Sequence, residues 1–332
     1  MEGIRVFARR NGRIESVHHV FAVAVDSDEK VIYSSGPPDF KTYIRSCAKP
    51  FQTVSVLKSG AKERFKLSDE ELALCCASHS GEDPHIKVVK SIIRKAGLRE
   101  EMLQCGAHIP LSSEAADSLF RRGIPPSPLH NNCSGKHSGM LAVSRAVGAE
   151  VMNYLDPSHP VQLHILDIIR KYSGVEEIPV GMDGCSAPTF YLSLKDMAVM
   201  FMRLARRDDE YLEQIFNVMT ANPYMVAGSN QFDTDLMAAG NGRYVSKVGA
   251  EGLQCMGIRE NGDKSMGIAI KVLDGNGRAV PPVSLHLMRL LGEGGEEKFR
   301  EVELAYIKPP VINHVGKIVG QLEILPGGVR DD

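Results

Sequence analysis

Several features are missing from this sequence, and each absence narrows its class. No apolar run approaches the ~20 residues needed to cross a bilayer, so no membrane span is expected. The opening Met1-Glu-Gly-Ile-Arg5 lacks the charged-then-apolar pattern of a secretory leader. Its seven cysteines, an odd number, include no C-x-x-C pair. A secreted disulfide framework is therefore not expected, and a reducing cytoplasm is. Net charge is only −2 and no long basic stripe exists, which argues against a nucleic-acid surface. No internal repeat, low-complexity tract or charge run is present to support a purely structural role.

What is present is ordinary for a folded chain: 332 residues, 43% hydrophobic and 24% charged. That length suffices for one large domain or two of roughly 150 residues. Low net charge with this apolar content also excludes disorder as the dominant state.

Strand-like patterning lies at both ends and helical patterning in the middle. Phe21–Val25 and Val31–Ser34 flank the turn-rich Asp26–Lys30 and read as a hairpin. Helical spacing starts near residue 50, and Ser68-Asp-Glu-Glu71 is a capping-box start. Further helices are expected near 84–96, 113–120, 135–147, 159–172, 192–206 and 210–220. Short strand-like runs return at 244–248, 255–258 and 266–273, then a helix near 281–292 and a β-prone stretch near 311–325. The pattern predicts an α+β fold whose sheet joins both termini around an inserted helical layer. Residues 1–45 and 230–332 would carry the sheet and 46–229 the helices, together one catalytic unit.

Three motifs stand out in order. Ser46-Cys-Ala-Lys49 is an S-x-x-K, in which side chains at i and i+3 meet on one helix face. A lysine amine beside a serine hydroxyl can serve as its base when burial lowers the amine's pKa. Ser55–Lys58 and Ser59–Lys62 match the same spacing, but Pro50 places Ser46 at a helix start, where backbone donors are free. The same residues also read as a serine cap beside a solvated lysine. Ser78-His-Ser80 follows in the helical part, and Lys247-Val-Gly249 lies on a late strand. Together the order resembles that of serine β-lactamases, transpeptidases and their glutaminase relatives, with Ser80 where those usually carry Asn.

A second constellation is built on glycine-rich turns. Asn132-Cys-Ser-Gly-Lys-His137 places Cys133, Lys136 and His137 at a helix start, and Asp183-Gly-Cys185 forms another turn. Two cysteines with nearby His or Asp could bind zinc, but the spacing matches no standard finger, and by spacing alone buried small thiols are the favoured reading. Cys75, Cys76, Cys105 and Cys255 read as core.

Five segments, Arg45–Pro50, Cys76–Glu82, Asn132–His137, Asp183–Cys185 and Lys247–Glu251, resemble the thermolabile, rhizobial-type (class 3) L-asparaginases. The likeness runs from about Arg10 to Gly275. It implies a serine β-lactamase-like fold with an antiparallel sheet, a homodimer, and hydrolysis of L-asparagine to L-aspartate and ammonia. Carried over, Ser46 matches the nucleophile and Lys49 its partner, and Ser78 and Lys247 match a second pair. Cys133, Lys136 and Cys185 match a zinc site, and Asp183 a residue touching zinc-bound water or substrate. For the free amino acid, Asp183 is the first candidate for the ammonium, Arg45 or the zinc for the carboxylate, and His137 for orienting either. The competing readings are a same-fold amidohydrolase acting on glutamine or a β-lactam, and a non-catalytic zinc or amino-acid binder.

Overall fold

The computed structural model describes residues 3–259, 264–294 and 297–325. Its strands are β1 (Ile4–Arg10), β2 (Arg13–Val25), β3 (Val31–Ser35), β4 (Lys41–Tyr43), β5 (Val180–Met182), β6 (Pro188–Ser193), β7 (Tyr244–Gly249), β8 (Leu253–Arg259), β9 (Ser265–Val272), β10 (Pro310–Ile312) and β11 (Ile318–Leu325). The main sheet is antiparallel and runs β10-β11-β1-β2-β9-β8-β7, with β3 alongside the second half of β2. The two chain ends therefore meet twice, at β2–β9 and at β1–β11. This is the α+β architecture expected from the patterning.

Between the two sets of strands run α1 (Lys49–Lys58), α2 (Ala61–Phe65), α3 (Asp69–Cys75), α4 (Asp83–Lys95), α5 (Ser113–Arg121), α6 (Ser134–Val147), α7 (Pro160–Ser173), α8 (Leu194–Arg206), α9 (Glu210–Ala221), α10 (Pro223–Ala227) and α11 (Phe232–Ala239). After β9 come α12 (Val280–Leu290) and α13 (Glu297–Tyr306). Alternation along the strands separates two cores. Val23, Val25 and Ala269 face the inserted helices, whereas Ala22, Ala24, Ile268 and Ile270 face α12 and α13. On the first side α8 lies directly on the sheet. A Cβ at Gly267 would sit 1.9 Å from the Ala198 carbonyl oxygen, so the bare backbone sets that approach.

Local chemistry explains most boundaries. Ser68 and Glu71 close the expected capping box on α3. β2 starts at Arg13, well before the apolar run, because its polar half is paired to β1 and needs no buried face on both sides. Leu192 belongs to β6 rather than to a helix. Ser193 caps α8 reciprocally with Asp196, and that cap fixes the start at Leu194. The small sheet β4-β6-β5, together with β1, α2, α10, α11 and α13, lies outside the sequence expectation. No helix among the described residues is long and apolar enough to cross a membrane.

Candidate active site

Ser46 sits in a 3₁₀ turn, Arg45–Ala48, that leads into α1, with Pro50 in the first turn of the helix as anticipated. The Cys47 thiol donates to the Lys247 carbonyl at 3.1 Å, which ties this turn to β7. Arg45 holds a left-handed backbone, φ +48°, uncommon for a side chain of its size. Its N–H donates to Thr189 Oγ1 at 3.2 Å, and its guanidinium grips Asp183 at 3.0 and 2.8 Å. The strain next to Ser46 is thus held by contacts on both backbone and side chain.

The two lysines named from the sequence converge on one hydroxyl. Lys49 Nζ donates to Ser78 Oγ at 2.9 Å, to the Ala77 carbonyl at 2.7 Å and to the Asn132 carbonyl at 3.4 Å. Lys247 Nζ donates to Ser78 Oγ at 2.8 Å and to the Val248 carbonyl at 2.8 Å. Both lysines are buried. With both lone pairs taken, Ser78 keeps its own O–H to donate. Burial pushes the Lys247 amine down to about 8, the Lys49 charge adds to that, and Asp233 opposes it. Among the described residues no hydrogen bond joins Ser46 Oγ to either lysine.

Ser46 and Ser78 share a cavity of about 400 Å³ with Asn132, Asp233, Gly249 and Ala250 in its wall. The sequence reading gave no role to Asp233. Its buried carboxylate accepts from Ser246 Oγ at 2.7 Å, Gln254 Nε2 at 2.8 Å and the Val248 N–H at 2.7 Å. It thereby supplies the edge strand β7 with a partner beside Lys247. A lone aspartate in Gln231-Phe-Asp-Thr-Asp235 offers no local signal of this.

Cys133, Lys136 and Cys185 come together, all buried. Lys136 Nζ lies 3.1 Å from Cys185 Sγ, and Cys133 Sγ lies 3.3 Å from Asn132 Oδ1. A hydrogen bond from Cys185 holds the Cys133 thiol well below its usual range; burial opposes this, and the charges of Lys49 and Lys136 support it. The Lys136 amine is raised, because Cys185 and Cys133 outweigh its burial. Among the described residues no group of three or more His, Cys, Asp or Glu side chains forms a metal cage. His137 is fully buried beneath this cluster, its Nδ1 2.6 Å from Tyr154 Oη and its Nε2 without a partner. Arg45, Asp183 and His137 are held by the contacts given above and lie outside the cavity wall.

A hydroxyl held by two buried lysines in the wall of a small cavity suits hydrolysis of a small polar substrate, and the protein is an enzyme of the amidohydrolase class. Residues 6–324 match the family described as L-asparaginase II, and the chain belongs to that family. No curated protein matches it significantly. Among solved structures, a β-lactamase from Burkholderia ambifaria aligns at 10% identity and a TM-score of 0.41, covering 84% of this chain and 96% of its own. A Bacillus glutaminase aligns at 13% and 0.38, covering 82% and 91%. The protein Mglu in its native form aligns at 14% and 0.39 over 82% of this chain, which spans 60% of Mglu's length.

Proposed function

We propose that the protein hydrolyses L-asparagine to L-aspartate and ammonia through a serine ester. The observation that carries this reading is the convergence of Lys49 and Lys247 on Ser78, in a cavity that Ser46 also lines. An amide is a weak electrophile and ammonia a poor leaving group, so a nucleophile, a base, oxyanion donors and a proton source are all required.

Ser46 Oγ attacks the side-chain carboxamide carbon. Its proton passes to Ser78 as Ser78 gives its own to the neutral Lys247 amine; Lys247 is the general base, and Lys49 holds Ser78 in place and favours the uncharged form of Lys247. The Ser46 and Ala250 N–H groups, both at the cavity, receive the oxyanion. When the C–N bond breaks, the stored proton returns through Ser78 and the nitrogen leaves as ammonia. Water then attacks the ester carbonyl, gives its proton to the same relay and releases aspartate, and Ser46 recovers its hydrogen.

Arg45 and Asp183, paired with each other in this structure, are assigned to the carboxylate and ammonium of the free amino acid. His137, in the first turns of α6, ties that helix to Tyr154. The buried donors of Cys133, Lys136 and Cys185, two soft sulfurs and an amine, fit zinc chemically, since all three can bind it once deprotonated. Bound there, zinc supplies fixed positive charge that orders substrate and loops. The assembly proposed with this activity is a homodimer.

One observation favours a second reading of the same chemistry: both lysines touch Ser78 and neither touches Ser46, so Ser78 is the more directly activated hydroxyl. Ammonia release from asparagine and glutamine, by wild type and Ser46→Ala, tests the proposal. Wild type releasing ammonia from asparagine, with Ser46→Ala reduced to near background, is the expected result. Full activity in Ser46→Ala transfers the ester to Ser78, and an inactive wild type removes the asparaginase reading altogether. Glutamine as the better substrate would replace asparaginase by glutaminase.

A further inference from the structure

Glu82, at the start of α4, touches neither lysine nor cavity, yet its carboxylate gathers donors from three residues on two chain segments. Oε1 accepts from Ser80 Oγ and from the Ser229 N–H at 3.0 Å. Oε2 accepts from Tyr224 Oη at 2.8 Å and from Ser229 Oγ at 3.0 Å. Burial opposes its ionisation, but these donors hold the carboxyl down at about 2, so the group stays charged across the ordinary pH range.

The partners on the far side belong to the segment 224–233, which crosses here at contact distance. Gly228 has φ +111°, and a Cβ on it would fall 1.9 Å from Ser80 Oγ. The same two segments are laced by Ser78 N–H to the Val226 carbonyl at 3.0 Å and by His85 Nε2 against the Tyr224 carbonyl at 3.0 Å. Just beyond the crossing, Asn230, Gln231, Phe232 and Asp233 form one wall of the cavity.

From this geometry we infer that Glu82 is a positioning residue, an anionic clamp that sets the 227–233 wall of the substrate cavity relative to Ser78. The kinetic part of this inference rests on the asparaginase reading; the clamp itself does not. Its two targets differ in how else they are held. Ser80 follows Ser78, which has both lysine amines and the Val226 carbonyl, whereas Ser229 is fastened to the rest of the molecule chiefly through Glu82, and the far end of the wall is held separately where Asp233 meets Ser246, Val248 and Gln254. Weakening the clamp therefore costs substrate binding before it costs chemistry.

Glu82→Gln is the informative change, because one acceptor oxygen is replaced by an NH₂ that faces Tyr224 and Ser229 donors. Expected are a rise in KM of roughly 10- to 100-fold, consistent with loss of charge-assisted hydrogen bonds, and a kcat within about threefold of wild type. Ser229→Ala, which keeps the backbone donor, should shift KM the same way by a smaller factor. Amide hydrogen exchange is the second measurement, and it needs no substrate. Glu82→Gln should exchange faster at 229–233 than wild type while β9 is unchanged. A fall in kcat at constant KM, or unaltered exchange at 229–233, overturns the clamp. An exchange effect in a protein with no activity toward asparagine upholds the clamp and sinks the substrate assignment instead.

Discussion

Two buried lysines, Lys247 and Lys136, lie in the same half of the molecule and are driven in opposite directions. Lys247 shares a hydroxyl with a second lysine, and its amine falls to about 8. Lys136 lies against two thiols, and its amine is raised despite equal burial. Desolvation penalises both ammonium groups alike. The difference is made by the neighbours: at Lys247 burial prevails over Asp233, with Lys49 adding to it, whereas at Lys136 the two sulfurs override the same penalty. One site thus has an amine ready to take a proton, and the other an amine held as ammonium against two thiols.

The strongest way to break this contrast is to remove the hydroxyl that joins the lysines. Ser78→Ala should lower kcat by ~10²–10⁴-fold, the range ascribed to a positioned proton-transfer group. Its melting temperature should stay close to wild type, because Lys49 keeps the Ala77 carbonyl and Lys247 the Val248 carbonyl as partners. Steady-state ammonia release with thermal unfolding of the same sample decides it. Activity within tenfold of wild type would mean that the lysines converge on Ser78 for structural reasons alone.

The residues of both regions were legible in the sequence, but the way they connect was not. Ser46 and Lys49 stand out by spacing and by the helix-start signature of Pro50, which are local features, and Ser78 and Lys247 by the order of their motifs along the chain. The i,i+3 rule pairs Lys49 with Ser46 because it speaks only of where Cβ atoms lie. Where a long side chain ends is decided by acceptors, and those of Lys49 come from Ala77, Ser78 and Asn132, segments 28, 29 and 83 residues away. Glu82 and Asp233 escaped for the same reason: Glu82 meets Tyr224 and Ser229 across 142 and 147 residues. At the level of the fold, β2–β3, α3 and β7–β9 follow from periodicity and caps. β1 and the polar half of β2 do not, since they are stabilised by each other's backbone rather than by an alternating apolar face.

The second contrast lies in the sulfur cluster. Cys133→Ser removes one of two soft donors and should weaken zinc binding by at least roughly 100-fold, beyond what loss of an outer-shell partner costs. If zinc orders the substrate rather than driving chemistry, KM should rise more than kcat falls. Metal content of the purified protein and the two kinetic constants check this together. A fall in kcat at constant KM would move the metal into the chemical step, and wild type that binds no zinc would leave the thiols as core.

The smallest effect, and the sharpest test of the lysine contrast, is in the pH profile. An unfolded lysine titrates near ~10.4, whereas folded Lys247 titrates at about 8, so the folded chain binds fewer protons between these values. The stabilisation linked to this group is full above the unfolded value and is lost as pH falls through about 8. Activity should follow the neutral amine: kcat/KM climbs about tenfold per pH unit below the limb and levels above it. The residual activity of Lys247→Met should show no limb at about 8, whereas Lys136→Met should leave the limb where it is. A wild-type limb near ~10, the value of an ordinary lysine, would show that the two buried amines are not set apart by their neighbours.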